Sequence, residues 1–325
     1  MGNNVSVILP TRDGATRGFL TTAIESVLKQ SFENYELFII DDGSTDYTKE
    51  VCEPYLEDSR VRYVFQPNGG AASARNTGIS TSTGEFICFL DDDDIWKPNK
   101  VQKQIGFIHD ELSNIPNWGM VFTWIELIDS QGKILGYRGH RQKGFIYKNL
   151  LFENIIDATS SVLIRREVFE NLGLLDESLE NCHDWDMWLR ISREYLIFPV
   201  REYLVQHREH QNRISFNNEK VFHYEKAVIA KALTTAPADI SPRAVYASRY
   251  MNRSICYFAA DQYQQFREML IKGAKLSLKP IRLEHILLLF LSLFGRRSVH
   301  LCRTVKRFVQ QRMITRRYGD LGPHS

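Results

Sequence analysis

Four consecutive aspartates, Asp91–Asp94, are the feature of the sequence that points most directly to chemistry, and they directly follow the apolar run Phe86–Leu90. Neighbouring carboxylates repel one another, so their pKa values rise unless a cation compensates the charge. Oxygen ligands at this density favour Mg²⁺ or Mn²⁺ over zinc. The alternative is a solvated acidic loop in which Asp93 or Asp94 caps the next helix. Because the aspartates follow an apolar run that reads as a buried strand, we expect a metal site.

Two earlier apolar runs also end in polar residues. Val5–Leu9 leads into Pro10, Thr11, Arg12 and Asp13, and Leu37–Ile40 leads into Asp41–Asp46. The carboxyl ends of parallel strands meet at one edge of a sheet, where open α/β folds bind ligands. Asp42 is therefore placed to accept from a ribose hydroxyl or a base N–H. The alternative is structural: Gly43 would form the turn and Ser44 would be the N-cap of the next helix. That alternative does not explain the two acids, Asp41 and Asp42, that precede them.

The segment Asn68–Asn76 opens a helix with small residues. Small residues allow a backbone to approach a ligand closely, and tight packing of the helix on the sheet explains them equally well. The sequence contains neither GxGxxG nor GxxxxGK[ST], so it does not indicate a dinucleotide fingerprint or a P-loop. Arg75 is less easily explained by packing, and its guanidinium could bind a phosphate.

Two later polar groups complete the set of candidates. Asp184 lies at the start of a predicted helix over 184–194, where a carboxylate can take a proton from a reacting hydroxyl. Its alternative role is the helix N-cap, which is compatible with the first. His210 could complete the coordination of a metal, although a lone histidine is more often an ordinary surface or core residue.

The elements that must position these residues alternate between apolar strands and helical segments over the first ninety residues. That alternation predicts βαβ units and a parallel sheet with helices on both faces. Strand patterns end near residue 218, and helical patterns continue to about Arg317. We therefore predict a catalytic domain over 1–218 and a helical C-terminal region over 219–325.

The composition indicates an ordinary globular protein, with 43% hydrophobic and 25% charged residues and a formal net charge of +2. This balance argues against a nucleic-acid partner. From Arg296 onward, however, the chain carries eight Lys/Arg and one acid. Such a basic amphipathic segment indicates binding to a membrane surface; the alternative is that its apolar face packs on protein. Five unpatterned cysteines and no secretory signal predict a cytoplasmic protein, peripheral on the inner face of the membrane if the basic segment binds there.

Over about residues 4–215 the sequence resembles the inverting glycosyltransferases of family 2, which have the GT-A fold. The resemblance is carried by VSVILPTRDG, FIIDDGSTD, NGGAASARNTG, FLDDDDIW and SSVLIRREVFENLGLLDESLENCHDWDMWLR, in that order. Each element is loose alone, but five in order at family-like spacing are specific. The resemblance implies a Rossmann-like, mostly parallel sheet flanked by helices.

The resemblance also implies roles for individual residues. The DXD element would be Asp91–Asp93, with Asp91 near the ribose and Asp93 on a Mn²⁺ or Mg²⁺ ion that His210 can reach. Four aspartates in a row also allow a second register. Asp184 would be the general base, and His183 replaces the glutamate that precedes this acid in the family. The residues predicted to bind the nucleotide are Pro10, Thr11, Asp13, Asp42, Arg75, Asp91 and Asp92.

The function implied is metal-dependent transfer of a sugar, with inversion, from a nucleotide-sugar to a glycan or lipid-linked acceptor. Uridine is the expected base. Two alternatives stay open at this point: a nucleotidyltransferase that forms nucleotide-sugars, and a non-catalytic module that binds a nucleotide or a glycan. The first would need a basic, glycine-rich phosphate loop after the first strand, where the sequence offers only Arg12 and Gly14. Intact Asp93 and Asp184 argue against the second.

Overall fold

The computed structural model describes residues 4–210, 218–277, 285, 286, 289 and 292. The chain divides into two compact units. One comprises Met1–Tyr147 and Ile155–Arg213, and the other comprises Lys148–Asn154 and Ile214–Ser325. The predicted basic segment after Arg296 and the apolar run at 286–294 fall almost entirely outside the described residues.

Within the described residues, the first unit contains one sheet of nine strands. The strands are β1 (Val5–Thr11), β2 (Tyr35–Asp42), β3 (Val61–Gln66), β4 (Phe86–Phe89), β5 (Ile95–Trp96), β6 (Trp118–Ile128), β7 (Ile134–Arg138), β8 (Val162–Arg165) and β9 (Leu196–Arg208). Their order is β3-β2-β1-β4-β8-β6-β9-β5, and β7 pairs with β6. The strands β3, β2, β1 and β4 are parallel, while β8 runs antiparallel to both β4 and β6.

The helices of the described residues alternate with the strands in the first half of the chain. They are α1 (Gly14–Arg17), α2 (Leu20–Leu28), α3 (Thr48–Cys52), α4 (Ala71–Thr81), α5 (Lys100–Phe107), α6 (Tyr147–Phe152), α7 (Arg166–Leu172), α8 (His183–Glu194), α9 (Asn218–Leu233), α10 (Pro242–Ala259) and α11 (Tyr263–Leu276). A short 3₁₀ turn, Thr159–Ser161, directly precedes β8.

Close packing of α4 on β1 explains part of the small-residue segment. A Cβ atom added to Gly78 would lie 2.4 Å from Cγ2 of Ile8. Ile8 is fully buried in the middle of β1. Only a residue without a side chain lets the helix approach the strand this closely, so packing accounts for Gly78.

The second unit is helical in its described part. The helices α10 and α11 pack around buried aromatic and aliphatic residues that include Phe258 and Phe266. Glu225 of α9 is buried and accepts hydrogen bonds from Arg249 and Arg253 of α10. None of the helices in the described part of the chain is both long and apolar enough to cross a bilayer.

Candidate active site

The four consecutive aspartates alternate between solvent and the protein interior. Asp91 and Asp93 are partly exposed, whereas Asp92 and Asp94 are 6% and 0% exposed. One carboxylate oxygen from each of Asp91, Asp93 and Asp94 lies within 4.8 Å of the other two. The alternation favours the register in which Asp91 and Asp93 are the outer residues of the DXD element.

The carboxylate of Asp94 makes three contacts with other parts of the protein. Its Oδ2 accepts from the hydroxyl of Ser160 at 2.6 Å and lies 3.0 Å from Nδ1 of His207, and its Oδ1 accepts from the backbone N–H of Arg208 at 3.0 Å. These contacts fix the acidic loop to the end of β9 and to the turn before β8. Asp94 therefore holds the loop in place, while Asp91 and Asp93 are the members of the cluster that reach solvent.

Asp93 and His210, the two residues predicted to bind metal, lie together. Nε2 of His210 is 2.8 Å from Oδ2 of Asp93. The guanidinium of Arg208 supports this pair, because its Nε donates to the backbone carbonyl of Asp93 at 2.9 Å and its Cζ lies 4.5 Å from the ring centre of Phe19. Carboxylate oxygens with one imidazole nitrogen suit Mn²⁺ or Mg²⁺. The cluster of Asp91, Asp93 and Asp94, with His210 next to Asp93, therefore fits a divalent cation.

Asp92 points away from this cluster, towards the first strand. The hydroxyl of Thr11 donates to its Oδ2 at 2.6 Å, and Arg17 of α1 forms an ion pair with the same oxygen. Burial raises the pKa of Asp92 to about 7, although the guanidinium of Arg17 acts in the opposite direction. Thr11 and Asp92, both predicted to bind the nucleotide, thus bind each other and lock the end of β1 to the acidic loop.

Thr11→Val is expected to lower the free energy of unfolding by about 1–3 kcal/mol, because it leaves a buried carboxylate without its hydroxyl donor. Valine has nearly the same shape, so packing changes little. Urea denaturation measures the effect, and Thr22→Val on the exposed face of α2 is the matched control. Equal stability of both variants would contradict a structural contribution from the contact between Thr11 and Asp92.

The ends of β1 and β2 are held together by side chains. The backbone N–H of Thr45 donates to Oδ1 of Asp13 at 2.8 Å, and the N–H of Asp13 donates to the hydroxyl of Ser44 at 2.8 Å. Asp13 adopts a left-handed backbone conformation with φ of 50°. Pro10 of β1 pairs with Ile40 of β2, and this register places residues Thr11–Asp13 beside the end of β2. Ser44 does not cap α3, whose N-cap residue is Tyr47.

Asp42 is buried at the end of β2 and organises the turn that precedes α4. Its Oδ1 accepts from Nε2 of Gln66 and from the N–H of Gly69, and its Oδ2 accepts from the N–H of Gly70, all at 2.8 Å. The predicted nucleotide residue thus lies at the expected strand end, bound to the small-residue segment that leads to Arg75.

The buried guanidinium of Arg75 connects three parts of the site. Its Nη2 forms an ion pair with Asp91, and its Nη1 donates to the carbonyl of Ala71 at 3.2 Å. The same Nη1 lies 2.9 Å from Nε2 of His183, the first residue of α8. Arg75 therefore joins α4 to the acidic loop and to the start of the helix that carries Asp184.

Asp184 lies in the first turn of α8 and is partly exposed. Its Oδ1 accepts from the N–H of Trp185 at 2.8 Å, and the hydroxyl of Thr159 is 3.4 Å from its Oδ2. Trp185 is 2% exposed and anchors the helix in the core. The N-cap residue of α8 is Cys182, so capping does not account for Asp184.

The turn Thr159–Ser161 connects Asp184 with the acidic loop. Thr159 reaches Asp184, while the hydroxyl of the next residue, Ser160, accepts from the N–H of Asp91 at 3.0 Å and donates to Asp94. The structure thereby brings the predicted base, the DXD element and His210 into one connected group. Sequence reasoning assigned no role to Ser160, His207 or Arg208, which support this group. Ser160 begins the quoted SSVLIRREVF block, while His207 and Arg208 lie just before His210.

Comparison with known proteins identifies the family. Residues 6–173 match the model of glycosyl transferase family 2. An uncharacterized glycosyltransferase of Rickettsia typhi is 33% identical over 211 residues, which are 63% of this chain and 64% of that protein. The putative teichuronic acid biosynthesis glycosyltransferase TuaG of Bacillus subtilis is 31% identical over 219 residues, which are 66% of this chain and 83% of that protein. The matched region thus spans slightly less than two thirds of the Rickettsia relative.

A solved structure supports the fold. The structure of S. aureus TarS 1-349 in complex with UDP-GlcNAc has a TM-score of 0.60, covers 89% of this chain and 79% of that chain, and is 17% identical. At this identity the similarity shows the fold alone, and it confirms the predicted α/β fold of the GT-A type. Because the family model matches more than half of the sequence, the chain belongs to glycosyltransferase family 2, as its motifs predict.

Proposed function

We propose that this chain transfers a sugar from a nucleotide-sugar to a hydroxyl acceptor, with inversion at the anomeric carbon. The observation that carries the proposal is the connection between Asp184 and the acidic loop through Thr159 and Ser160. A partly exposed carboxylate is thereby held beside the residues that would bind the donor. Direct displacement with inversion requires one such base on the acceptor side and no covalent nucleophile.

In the proposed reaction, the nucleotide-sugar donor is bound by Asp91, Asp93, Arg75 and His210. Asp93 and His210 would hold a divalent cation, since Nε2 of His210 lies 2.8 Å from Oδ2 of Asp93. Asp91 and Asp94 each place a carboxylate oxygen within 4.8 Å of one on Asp93. When bound, such a cation would bind the diphosphate and offset the charge that grows as the glycosidic bond breaks. Arg75 lies against Asp91 and offers a second positive charge to the same phosphates.

In the proposed reaction, Asp184 acts on the acceptor hydroxyl. Its Oδ1 is fixed by the N–H of Trp185, and the longer contact with Thr159 leaves Oδ2 available to an incoming hydroxyl. Asp184 would take the proton of that hydroxyl as the oxygen attacks the anomeric carbon from the face opposite the leaving diphosphate. Alignment matters more here than basicity, because the proton moves late in the displacement.

For the substrates, we propose a UDP-sugar donor and a glycan or lipid-linked acceptor. Support comes from the name of the Bacillus relative, which refers to teichuronic acid biosynthesis, and from the UDP-GlcNAc bound to the structural neighbour. The test is a thermal-shift screen of UDP- and GDP-sugars with Mn²⁺, followed by incubation of the stabilising donor with glycan and lipid-linked acceptors. The proposal predicts nucleoside diphosphate release that depends on acceptor, with a product whose anomeric proton shows inversion by NMR.

Other results of the same assay would support the alternatives. Formation of a nucleotide-sugar from a sugar phosphate and a nucleoside triphosphate would indicate a nucleotidyltransferase. Donor binding without turnover across the acceptors would indicate a non-catalytic module. A product with retained configuration would contradict the direct displacement at Asp184.

We further propose that the basic segment after Arg296 binds anionic membranes from the cytoplasmic side. We expect the full chain to co-sediment with vesicles containing an anionic lipid, and a chain ending at Lys279 to remain in the supernatant. Co-sedimentation should weaken as salt rises, because the attraction is electrostatic. Replacement of Arg303, Lys306 and Arg307 by Gln separates the effect of charge from that of truncation. Equal sedimentation of the full and shortened chains would contradict the proposal.

A further inference from the structure

His183 directly precedes the proposed base, yet its side chain turns inward. It is 8% exposed and touches Arg75 of α4 through Nε2, at 2.9 Å. Its other ring nitrogen, Nδ1, lies 3.3 Å from the backbone carbonyl of Leu179. A guanidinium can only donate a hydrogen bond, and a carbonyl can only accept one. These two partners therefore require a neutral imidazole with its hydrogen on Nδ1 and a lone pair on Nε2.

The surroundings of His183 favour this neutral form. Burial lowers the pKa of the imidazole, and the nearby guanidinium of Arg75 lowers it further. The carboxylates of Asp184 and Asp91 act in the opposite direction without outweighing burial. A protonated ring would also place an N–H of Nε2 against an N–H of Arg75, and one of the two groups would have to move. The contact between His183 and Arg75 is therefore compatible only with the neutral ring that carries its hydrogen on Nδ1.

The consequence for Arg75 is a difference in charge. Among the described residues, Asp91 is the one carboxylate that forms an ion pair with Arg75. Because Asp91 already offsets the charge of this guanidinium, a glutamate at position 183 would add a second carboxylate and make the group net negative. A neutral histidine accepts the hydrogen bond and fixes the direction of the guanidinium, but it leaves the local charge intact.

We propose that His183 is a positioning residue, a neutral hydrogen-bond acceptor that orients Arg75 towards the donor site without adding negative charge beside the diphosphate of the donor. This inference rests on the proposed function. It assigns to position 183 a role in donor binding rather than in contact with the acceptor.

The first test measures binding of UDP with Mn²⁺ by calorimetry. His183→Leu removes the acceptor at similar volume, and we expect binding to weaken by about tenfold, the factor that corresponds to about 1.4 kcal/mol. His183→Gln keeps an acceptor oxygen at the same reach, so it should recover most of that affinity. In an Arg75→Gln background, His183→Leu should cause no further loss, because the group through which His183 acts is gone.

A purely structural role would give a different pattern. His183→Gln would then be as weak as His183→Leu, or His183→Leu would cause the same loss with and without Arg75, and either result would overturn the inference. Thermal unfolding of each variant shows whether the fold is retained. If the wild type binds UDP but transfers no sugar, the proposed function fails while this comparison of affinities still applies.

The second test needs no bound substrate. The nitrogen-15 spectrum of protein with labelled histidine reports the protonation of each ring nitrogen, and the signal of His183 is the one that disappears in His183→Gln. At about neutral pH we expect a neutral ring with its proton on Nδ1. A charged ring, or a proton on Nε2, would overturn the inference whether or not the chain is active.

Discussion

Asp184→Asn is expected to lower turnover by about 10²–10⁴-fold, the range that a well-placed general base contributes, while donor affinity stays close to that of the wild type. The amide oxygen can still accept from the N–H of Trp185, and the amide NH2 can donate to the hydroxyl of Thr159, so the local geometry is conserved. It has no free lone pair of comparable basicity to take the proton of the acceptor hydroxyl. Initial transfer rates and calorimetry with the UDP-sugar together measure the two quantities.

Asp110→Asn is the matched control for this experiment, because Asp110 is an exposed acid of the same unit, remote in sequence from the predicted site residues. It should transfer sugar at the wild-type rate. An Asp184→Asn enzyme that is equally active would remove Asp184 as the base. A variant that loses donor affinity and turnover together would place Asp184 on the donor side instead.

Asp93→Ala is expected to abolish the part of nucleotide affinity that depends on Mn²⁺. The wild type should bind UDP at least about tenfold more tightly with Mn²⁺ than without it, a difference of about 1.4 kcal/mol. The variant should bind UDP equally weakly under both conditions, since Asp93 is the carboxylate that lies next to both His210 and the other two aspartates of the cluster. Calorimetry with and without the ion measures both affinities.

Asp110→Ala and Asp93→Asn are the controls for this second prediction. Asp110→Ala should show the full response to Mn²⁺, because its carboxylate is exposed elsewhere on the unit. Asp93→Asn keeps an oxygen but loses the charge, so an intermediate response is expected. Unchanged enhancement by Mn²⁺ in Asp93→Ala would show that the cation, if bound, is held by other residues.

The first half of the fold and the location of the site follow from the sequence for a simple reason. Each parallel strand of the predicted sheet is a continuous apolar run, and a polar segment begins where the run ends. Parallel strands place these ends on one edge, so the neighbourhood of Asp13, Asp42 and Asp91 could be predicted without coordinates. The pairing of Thr11 with Asp41 in adjacent strands agrees with that reasoning.

The orientation of each aspartate could not be predicted in the same way. A loop has no period that assigns alternate residues to opposite sides, so Asp91–Asp94 look equivalent in the sequence. Their orientation depends on partners far along the chain: Thr11 is 81 residues from Asp92, and His207 is 113 residues from Asp94. The first contact exists because β1 pairs with β4, and the second because β8, β6 and β9 continue the sheet beyond β4. The order of these strands leaves no signature in the sequence.

The contact between Arg75 and His183 illustrates the same limit. The two residues are 108 positions apart, and each lies in a motif that can be found separately. The packing of α4 and α8 around the acidic loop brings the two residues into contact. Only this contact shows that a histidine instead of an acid at position 183 changes the environment of Arg75. The departure from the family pattern is visible in the sequence, but its consequence is not.

The most direct test of the central claim is anomalous diffraction at the manganese absorption edge, from crystals grown with UDP and Mn²⁺. We predict one strong anomalous peak between Asp93 and the diphosphate, with Arg75 beside the same phosphates and the carboxylate of Asp184 facing the open side of the β-phosphate. A manganese peak and a bound nucleotide away from the acidic loop, or Asp184 on a different face of the molecule from both, would contradict the account.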